Sequence, residues 1–169
     1  MNSMVKLLPA LLMVSSSAFA ATASDNFQVT LTIQGACSII ANDLDFGVND
    51  GAIAANIDAT STLIANCTNG TPYSIGLNNG VGAGATASVR KMTNSADSST
   101  VNYSLFTDAG RSTVWDNNCT ALPGTAASCS NGTGTGANQT VTVYGRVPGG
   151  QSNVTVGSYI DTVVATLTF

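Results

Sequence analysis

The side chains with the plainest chemistry in this sequence are four cysteines, Cys37, Cys67, Cys119 and Cys129. Four cysteines can pair in three ways. The arrangement Cys37–Cys67 with Cys119–Cys129 is favoured, because each pair brackets a coherent segment. Cys67 ends the apolar run "STLIANC", and the second pair sits ten positions apart in "CTALPGTAASC", a Pro/Gly loop that a bridge would cinch. Loop-closure entropy gives the first bridge about 3–4 kcal/mol of stabilisation and the second somewhat less. The first would tie a leading strand to the core, and the second would close a surface loop whose loss is better tolerated. A metal site fits poorly, since the spacings are not CxxC and the chain has no His.

Other constellations lead to binding or catalysis only weakly. All nine acidic residues are Asp, and the absence of His removes the usual general base and pH switch. Scattered aspartates could act as an acid–base pair, as in glycosidases, but no motif places two together. "NDLDFGVNDG" (Asn42 to Gly51) lacks the ligand order and closing Glu of a calcium loop and reads as solvated turn aspartates. "GVGAG" (Gly80 to Gly84) lacks the spacing of a phosphate loop and reads as a turn. Trp115 could offer a sugar-stacking face, but an anchor in the core or a loop is the favoured reading. Arg90 and Lys91 form a lone basic pair, expected on a solvated strand face. No catalytic residue, metal or cofactor is expected.

These residues must be positioned by strands. Lys6, the apolar run Leu7 to Val14 and the small-x-small triplet "AFA" (Ala18 to Ala20) read as a secretory signal, too short to span a bilayer. Cleavage follows Ala20, or Ala23 at the "ATA" triplet. What remains is the length of one domain, in a compartment where disulfides persist. The net charge of the full chain is −4, with only 8% charged residues, which argues against nucleic acid or an anionic membrane as partner. Thr, Val, Ser, Asn, Gly and Ala dominate, a composition for strands and turns. No helical periodicity is sustained after the leader. Alternating or apolar segments recur at "LDFGV" (Leu44 to Val48), Ile57 to Cys67, Pro72 to Asn78, Val89 to Met92, Thr100 to Asp108, "STVWD" and Thr140 to Val147. The turn "TNGT" joins the second and third of these as a hairpin, while "NGTGTGANQ" reads as loop. Short strands at this spacing predict an all-β sandwich or barrel.

Two terminal segments stand apart. In "DNFQVTLTIQGAC", Phe27, Val29, Leu31 and Ile33 alternate with Gln28, Thr30, Thr32 and Gln34, the period of a half-buried strand. At the other end Val163, Ala165, Leu167 and Phe169 alternate with Val164, Thr166 and Thr168. A long terminal strand must be paired or leave an open edge. Composition alone makes Phe27 to Ile33 an ordinary first strand of its own domain. A self-contained secreted sandwich, such as a coat or carbohydrate-binding protein, is therefore the alternative reading.

"CTNGTPYSIGLNNG", "RKMTN", "VNYSLFTD", "VYGRVPGGQ" and above all "GSYIDTVVATLTF" resemble the spore coat U domain family, closest to the major rod subunits of archaic, Csu-type chaperone–usher pili. The resemblance implies an immunoglobulin-like sandwich that lacks its last strand. It implies a signal at residues 1–20, a donor-strand extension at 21–34 and a pilin domain at 35–169. Phe27, Val29, Leu31 and Ile33 would be the donor residues, filling a groove beside the strand carrying Val163, Ala165, Leu167 and Phe169. The implied partners are identical subunits, a periplasmic chaperone, an outer-membrane usher and minor tip subunits. Export through the periplasm and assembly into surface fibres for attachment and biofilm formation would follow. The Cys119/Cys129 loop departs from the simple pattern, which needs only the bridge at Cys37 and Cys67.

Overall fold

The structure, a computed structural model, describes residues 19–119 and 127–169; the apolar run Leu7 to Val14, expected to be a signal, and most of the Cys119/Cys129 loop lie outside these residues. The chain divides into two units, Met1–Thr32 and Ile33–Phe169. In the first, residues 19–32 form no strand and are exposed throughout.

Among the described residues the second unit holds nine strands: β1 (Cys37–Ala41), β2 (Ile57–Cys67), β3 (Pro72–Leu77), β4 (Arg90–Asn94), β5 (Thr100–Phe106), β6 (Ser130–Thr133), β7 (Asn138–Val147), β8 (Tyr159–Ile160) and β9 (Ala165–Thr168). A six-stranded sheet runs β1-β2-β7-β5-β4-β8, and a three-stranded sheet runs β6-β3-β9. All the strand pairings among these residues are antiparallel. The β2–β7 ladder is the longest, from Ile57↔Val147 to Asn66↔Asn138. Leu63, Ala65 and Cys67 of β2, Val101, Tyr103 and Leu105 of β5, and Val143 and Val147 of β7 turn inward at alternate positions. They meet Tyr73, Ile75 and Leu77 of β3 in one core. The period-two pattern thus works as a core-forming device.

Several sequence expectations are corrected. The hairpin across "TNGT" does not form: β2 pairs with β1 and β7, while β3 pairs with β6 and β9 in the other sheet. Both edges of β2 are occupied, so the turn carries the chain between sheets. There Thr68 N donates to Ala36 O and Gly70 N to Gly134 O. Within "NGTGTGANQ" and the serine before it, Ser130–Thr133 is a strand rather than loop, drawn into register by β3. "LDFGV" and "STVWD" are not strands, although Val114 makes an isolated bridge to Phe106. The terminal alternation is divided: Tyr159–Ile160 pair with β4, then the chain crosses and Ala165–Thr168 pair with β3.

Arg90 overturns the solvated-face reading. It is completely buried, and its guanidinium donates to four carbonyls: Asn78 O (2.9 Å), Ala87 O (2.7 Å), Leu77 O (3.0 Å) and Trp115 O (2.7 Å). Burial lowers its proton affinity, and the neighbouring Tyr103, Asp161 and Asp116 counter that effect. A planar fork with five donors can serve carbonyls that the two sheets leave unpaired where β3 ends. Trp115 lies beside it, also fully buried, and its Nε1 donates to Ile75 O at 2.8 Å. It is a core anchor.

Arg90→Lys keeps the charge but cannot reach four divergent acceptors with one ammonium. Buried carbonyls left without donors cost about 1–3 kcal/mol each. The substitution is expected to lower the thermal midpoint by well over ten degrees, whereas Lys91→Arg leaves it within two or three (scales of roughly 2–4 °C per kcal/mol). Thermal unfolding followed by circular dichroism measures both.

Candidate functional site

The strands at the ends of the sheets leave one side of the sandwich open. β1 ends the larger sheet at one side and β8 at the other, and β9 ends the smaller sheet. Between the segment after β1 and the crossover from β8 to β9 runs a cleft of about 780 Å3. Ala41 to Phe46 form one lip; Ser158 to Val163 and Ala165 form the other. Its floor is the core itself: Leu63, Leu77, Met92, Tyr103, Leu105 and Val143. A second cleft of about 820 Å3 shares Leu44, Phe46, Met92 and Tyr159 and continues over Ile53, Ile57, Val101, Val147 and Val154. Together they form a groove with an apolar floor, bordered by residues of β1, β8 and β9, each of which ends its sheet.

Each lip is held by identifiable contacts. Leu44 and Phe46 alternate with the exposed Asp45, and both pack onto the core where Gly145 of β7 leaves room; a Cβ there would overlap them. Asp45 caps its own turn, accepting from Gly47 N at 2.8 Å. Ser61 Oγ donates to Asn42 O and Asp43 O, both at 2.8 Å, fixing the start of this lip to β2. The Cys37–Cys67 disulfide joins directly paired positions of β1 and β2, so the lip strand is covalently pinned to the larger sheet.

The opposite lip rests on Asn78 and Asp161. Asn78 N donates to Val164 O at 3.1 Å, and its Oδ1 accepts from Val164 N at 2.9 Å. Asp161 Oδ1 accepts from Val81 N at 2.7 Å, while Oδ2 accepts from the Tyr103 hydroxyl at 2.7 Å. Burial pushes the Tyr103 phenol far above its ordinary pKa, and the Asp161 carboxylate adds to the shift, so the hydroxyl stays a donor. Further along, Tyr159 Oη donates to Thr155 O and accepts from Thr155 N, while Thr155 Oγ1 donates to Asp97 at 2.6 Å. The hydroxyls of Thr155 and Ser99 hold the Asp97 carboxyl below its usual range.

The residues singled out in the sequence fall into three groups. Val163 and Ala165 line the groove; Leu167 packs on the core, and Phe169 is 54% exposed. Phe27, Val29, Leu31 and Ile33 are 86%, 84%, 86% and 76% exposed, an unshielded apolar row with no strand partner. Cys119 and Cys129 form the second disulfide, and both are buried, with Cys119 Sγ against Gly76 of β3. The bridge itself packs against β3 rather than standing in solvent; the expectation that it closes a surface loop falls on residues 120–126, which lie outside the described residues.

Sequence reasoning did not assign roles to Asn78, Tyr103, Asp161 or Phe46. A lone acid inside the apolar stretch "SYIDTVVATLTF" was the available signal, since burying a carboxylate requires donors.

Three comparisons bear on this architecture. The pattern of the Spore Coat Protein U domain matches residues 23–166. "Protein U" of Myxococcus xanthus is 39% identical over 172 residues, covering 94% of this chain and 91% of that protein. A chain in the crystal structure of the CsuC–CsuE chaperone–tip adhesion subunit pre-assembly complex, from archaic chaperone-usher Csu pili of Acinetobacter baumannii, superposes with a TM-score of 0.57 at 20% identity. That match covers 82% of this chain and 41% of the other, so this chain spans about two fifths of its structural neighbour. The neighbour supports an all-β, incomplete immunoglobulin-like fold.

The packing at Gly80 makes a test of the second lip. Gly80 and Gly84 both have positive φ, at 79° and 68°, but a Cβ at Gly80 would overlap the Asp161 carboxylate, whereas at Gly84 the nearest atom is Lys91 Nζ at 3.5 Å. Both alanine variants bear the cost of left-handed backbone, about 1–2 kcal/mol. Gly80→Ala should lose stability beyond Gly84→Ala, read as a lower urea midpoint with an unchanged slope. Equal midpoints would show that the Asp161 contact contributes nothing.

With its pattern matched over most of its length and a relative 39% identical across nearly all of it, the chain belongs to the Spore Coat Protein U domain family.

Proposed function

We propose that this protein is a structural subunit of a chaperone–usher pilus, and that it polymerises by donating residues 21–34 to the groove of the next copy. The observation that carries the reading is a complementary pair of features within one chain. One is a groove with an apolar floor, bordered by strands at the ends of their sheets. The other is a row of four alternate apolar side chains, 76–86% exposed and outside any sheet. A strand laid in the groove would give backbone partners to both lips and place Phe27, Val29, Leu31 and Ile33 on Tyr103, Leu105, Met92 and the neighbouring core.

Magnitudes define what such a joint needs. Burying four large apolar side chains is worth about 6–12 kcal/mol, and ordering seven backbone residues costs a comparable amount. The surplus must come from ladder hydrogen bonds and from closing a core otherwise open along one side. A joint of this kind separates only as the acceptor opens, so its durability is kinetic.

On this reading a periplasmic chaperone occupies the groove first, and an outer-membrane usher catalyses the exchange. The likeness to a chain from a chaperone–subunit complex supports a chaperone among the partners. Identical copies would make the rod, other subunits would form the tip, and the fibres would serve attachment and biofilm formation at the cell surface. Catalysis has no part in this function.

Cells expressing the chain should yield a ladder of multimers in cold SDS that collapses on boiling. Leu31→Asp and Ile33→Asp should abolish the ladder and the fibres seen by electron microscopy, while Thr30→Asp and Thr32→Asp retain both, because only odd positions face the floor. A single SDS-sensitive band from the unaltered chain would instead support a self-contained sandwich. Equal damage from odd and even positions would refute the register.

A further inference from the structure

Tyr103 touches both lips of the groove from its floor. Its ring meets Phe46 of the first lip edge-on, with centroids 6.1 Å apart and planes at 65°. Its hydroxyl donates to Asp161 of the second lip at 2.7 Å. Asp161 in turn fixes Val81 N at 2.7 Å and Thr162 N at 2.8 Å, so the phenol reaches the crossover and the loop behind it. Tyr103 is 5% exposed and held from below by β5, which pairs with β4 and β7. Neither lip gains rigidity from a ladder across the groove, because β1 pairs with β2, β8 with β4 and β9 with β3.

We infer that Tyr103 is a positioning residue for strand capture: the Phe46–Tyr103–Asp161 bridge sets the distance between the lips before a donor arrives. This inference rests on the donor-strand reading above. The physical basis is preorganisation. A groove whose lips drift apart presents the binding-competent spacing only part of the time, and capture slows by that fraction. Once a donor is seated, its own ladder hydrogen bonds tie the two lips, and the bridge becomes redundant. The inference therefore predicts a split: losing the bridge slows association and spares dissociation. A purely structural role for a buried tyrosine would weaken both.

Tyr103→Phe removes only the hydroxyl and keeps the ring against Phe46. Phe46→Leu attacks the bridge from the other lip and leaves Asp161 untouched. For each variant, the full mature chain is dissociated in guanidinium and diluted with excess fluorescent peptide spanning Asn26–Gly35. The rate of peptide uptake is read by anisotropy. The temperature at which SDS-resistant multimers of the same variant collapse is read on gels.

A charge-assisted hydrogen bond in a buried site translates to at least about tenfold. Tyr103→Phe should slow uptake by that factor, Phe46→Leu by severalfold, and the collapse temperature of both should match the unaltered chain. Unchanged uptake in both variants overturns the inference, as does a fall in collapse temperature that parallels the slower uptake. If Tyr103→Phe does not refold, Phe46→Leu decides: uptake at the unaltered rate overturns the inference, and slowed uptake with an unchanged collapse temperature upholds it. Failure of the unaltered chain to take up the peptide would refute the donor-strand reading itself, and this inference with it.

Discussion

Backbone amides and carbonyls at the end of a sheet must find partners, and this constraint organises the whole molecule. The sandwich places β1, β8 and β9 around one opening, each with a neighbour on one side. Two responses are visible in the structure. On one lip, the Cys37–Cys67 bond and the Ser61 hydroxyl bind the segment leaving β1 to the strand behind it. On the other, side chains of Asn78 and Asp161 take the place of a ladder where the chain steps between sheets. Open edges in a protein of this composition, with few charges to repel another strand, favour intermolecular pairing.

A nearly uncharged chain must use each charge economically, and this one uses side-chain polarity mainly on its own backbone. Arg90 serves four carbonyls in the interior. Asp108 accepts from the amides of Ser112 and Thr113, which hold its carboxyl below the usual range. Asp116 accepts from Asn118 N and from Ser128 Oγ. Asp58 is the exception: it pairs with Arg146 at 2.7 Å and Arg111 at 3.3 Å on an outer face, where solvent limits the gain to below about 1 kcal/mol. Asp45, Asp108 and Asp116 are each committed to a turn of their own. Short carboxylates reach nearby amides well, which suits a fold made of many turns.

Much of this was legible beforehand. The period-two alternation in "IDATSTLIANC" and "TVTVYGRV" announced two long strands, because a half-buried strand must alternate whatever it pairs with. The pairing of Cys37 with Cys67 and of Cys119 with Cys129 was legible too, because each pair brackets one coherent segment. The exposed row from Phe27 to Ile33 was also legible as a pattern, although the pattern is silent on whose sheet it joins. The "TNGT" turn shows the limit. Its residues suit a hairpin, yet both edges of β2 were already taken, and only the paired partners reveal that.

Residue type and spacing therefore determined the all-β class, the main strands and the cysteine framework. These depend on local preferences and on burial of alternate side chains, which the chain carries in its own order. Tertiary structure alone decided that Arg90 is buried and that the terminal alternation divides between two sheets. It alone brought Phe46, Tyr103 and Asp161, distant in sequence, together around one groove. Such facts depend on which backbone groups remain unpaired after the sheets have formed, and no residue expresses that property until its neighbours are in place.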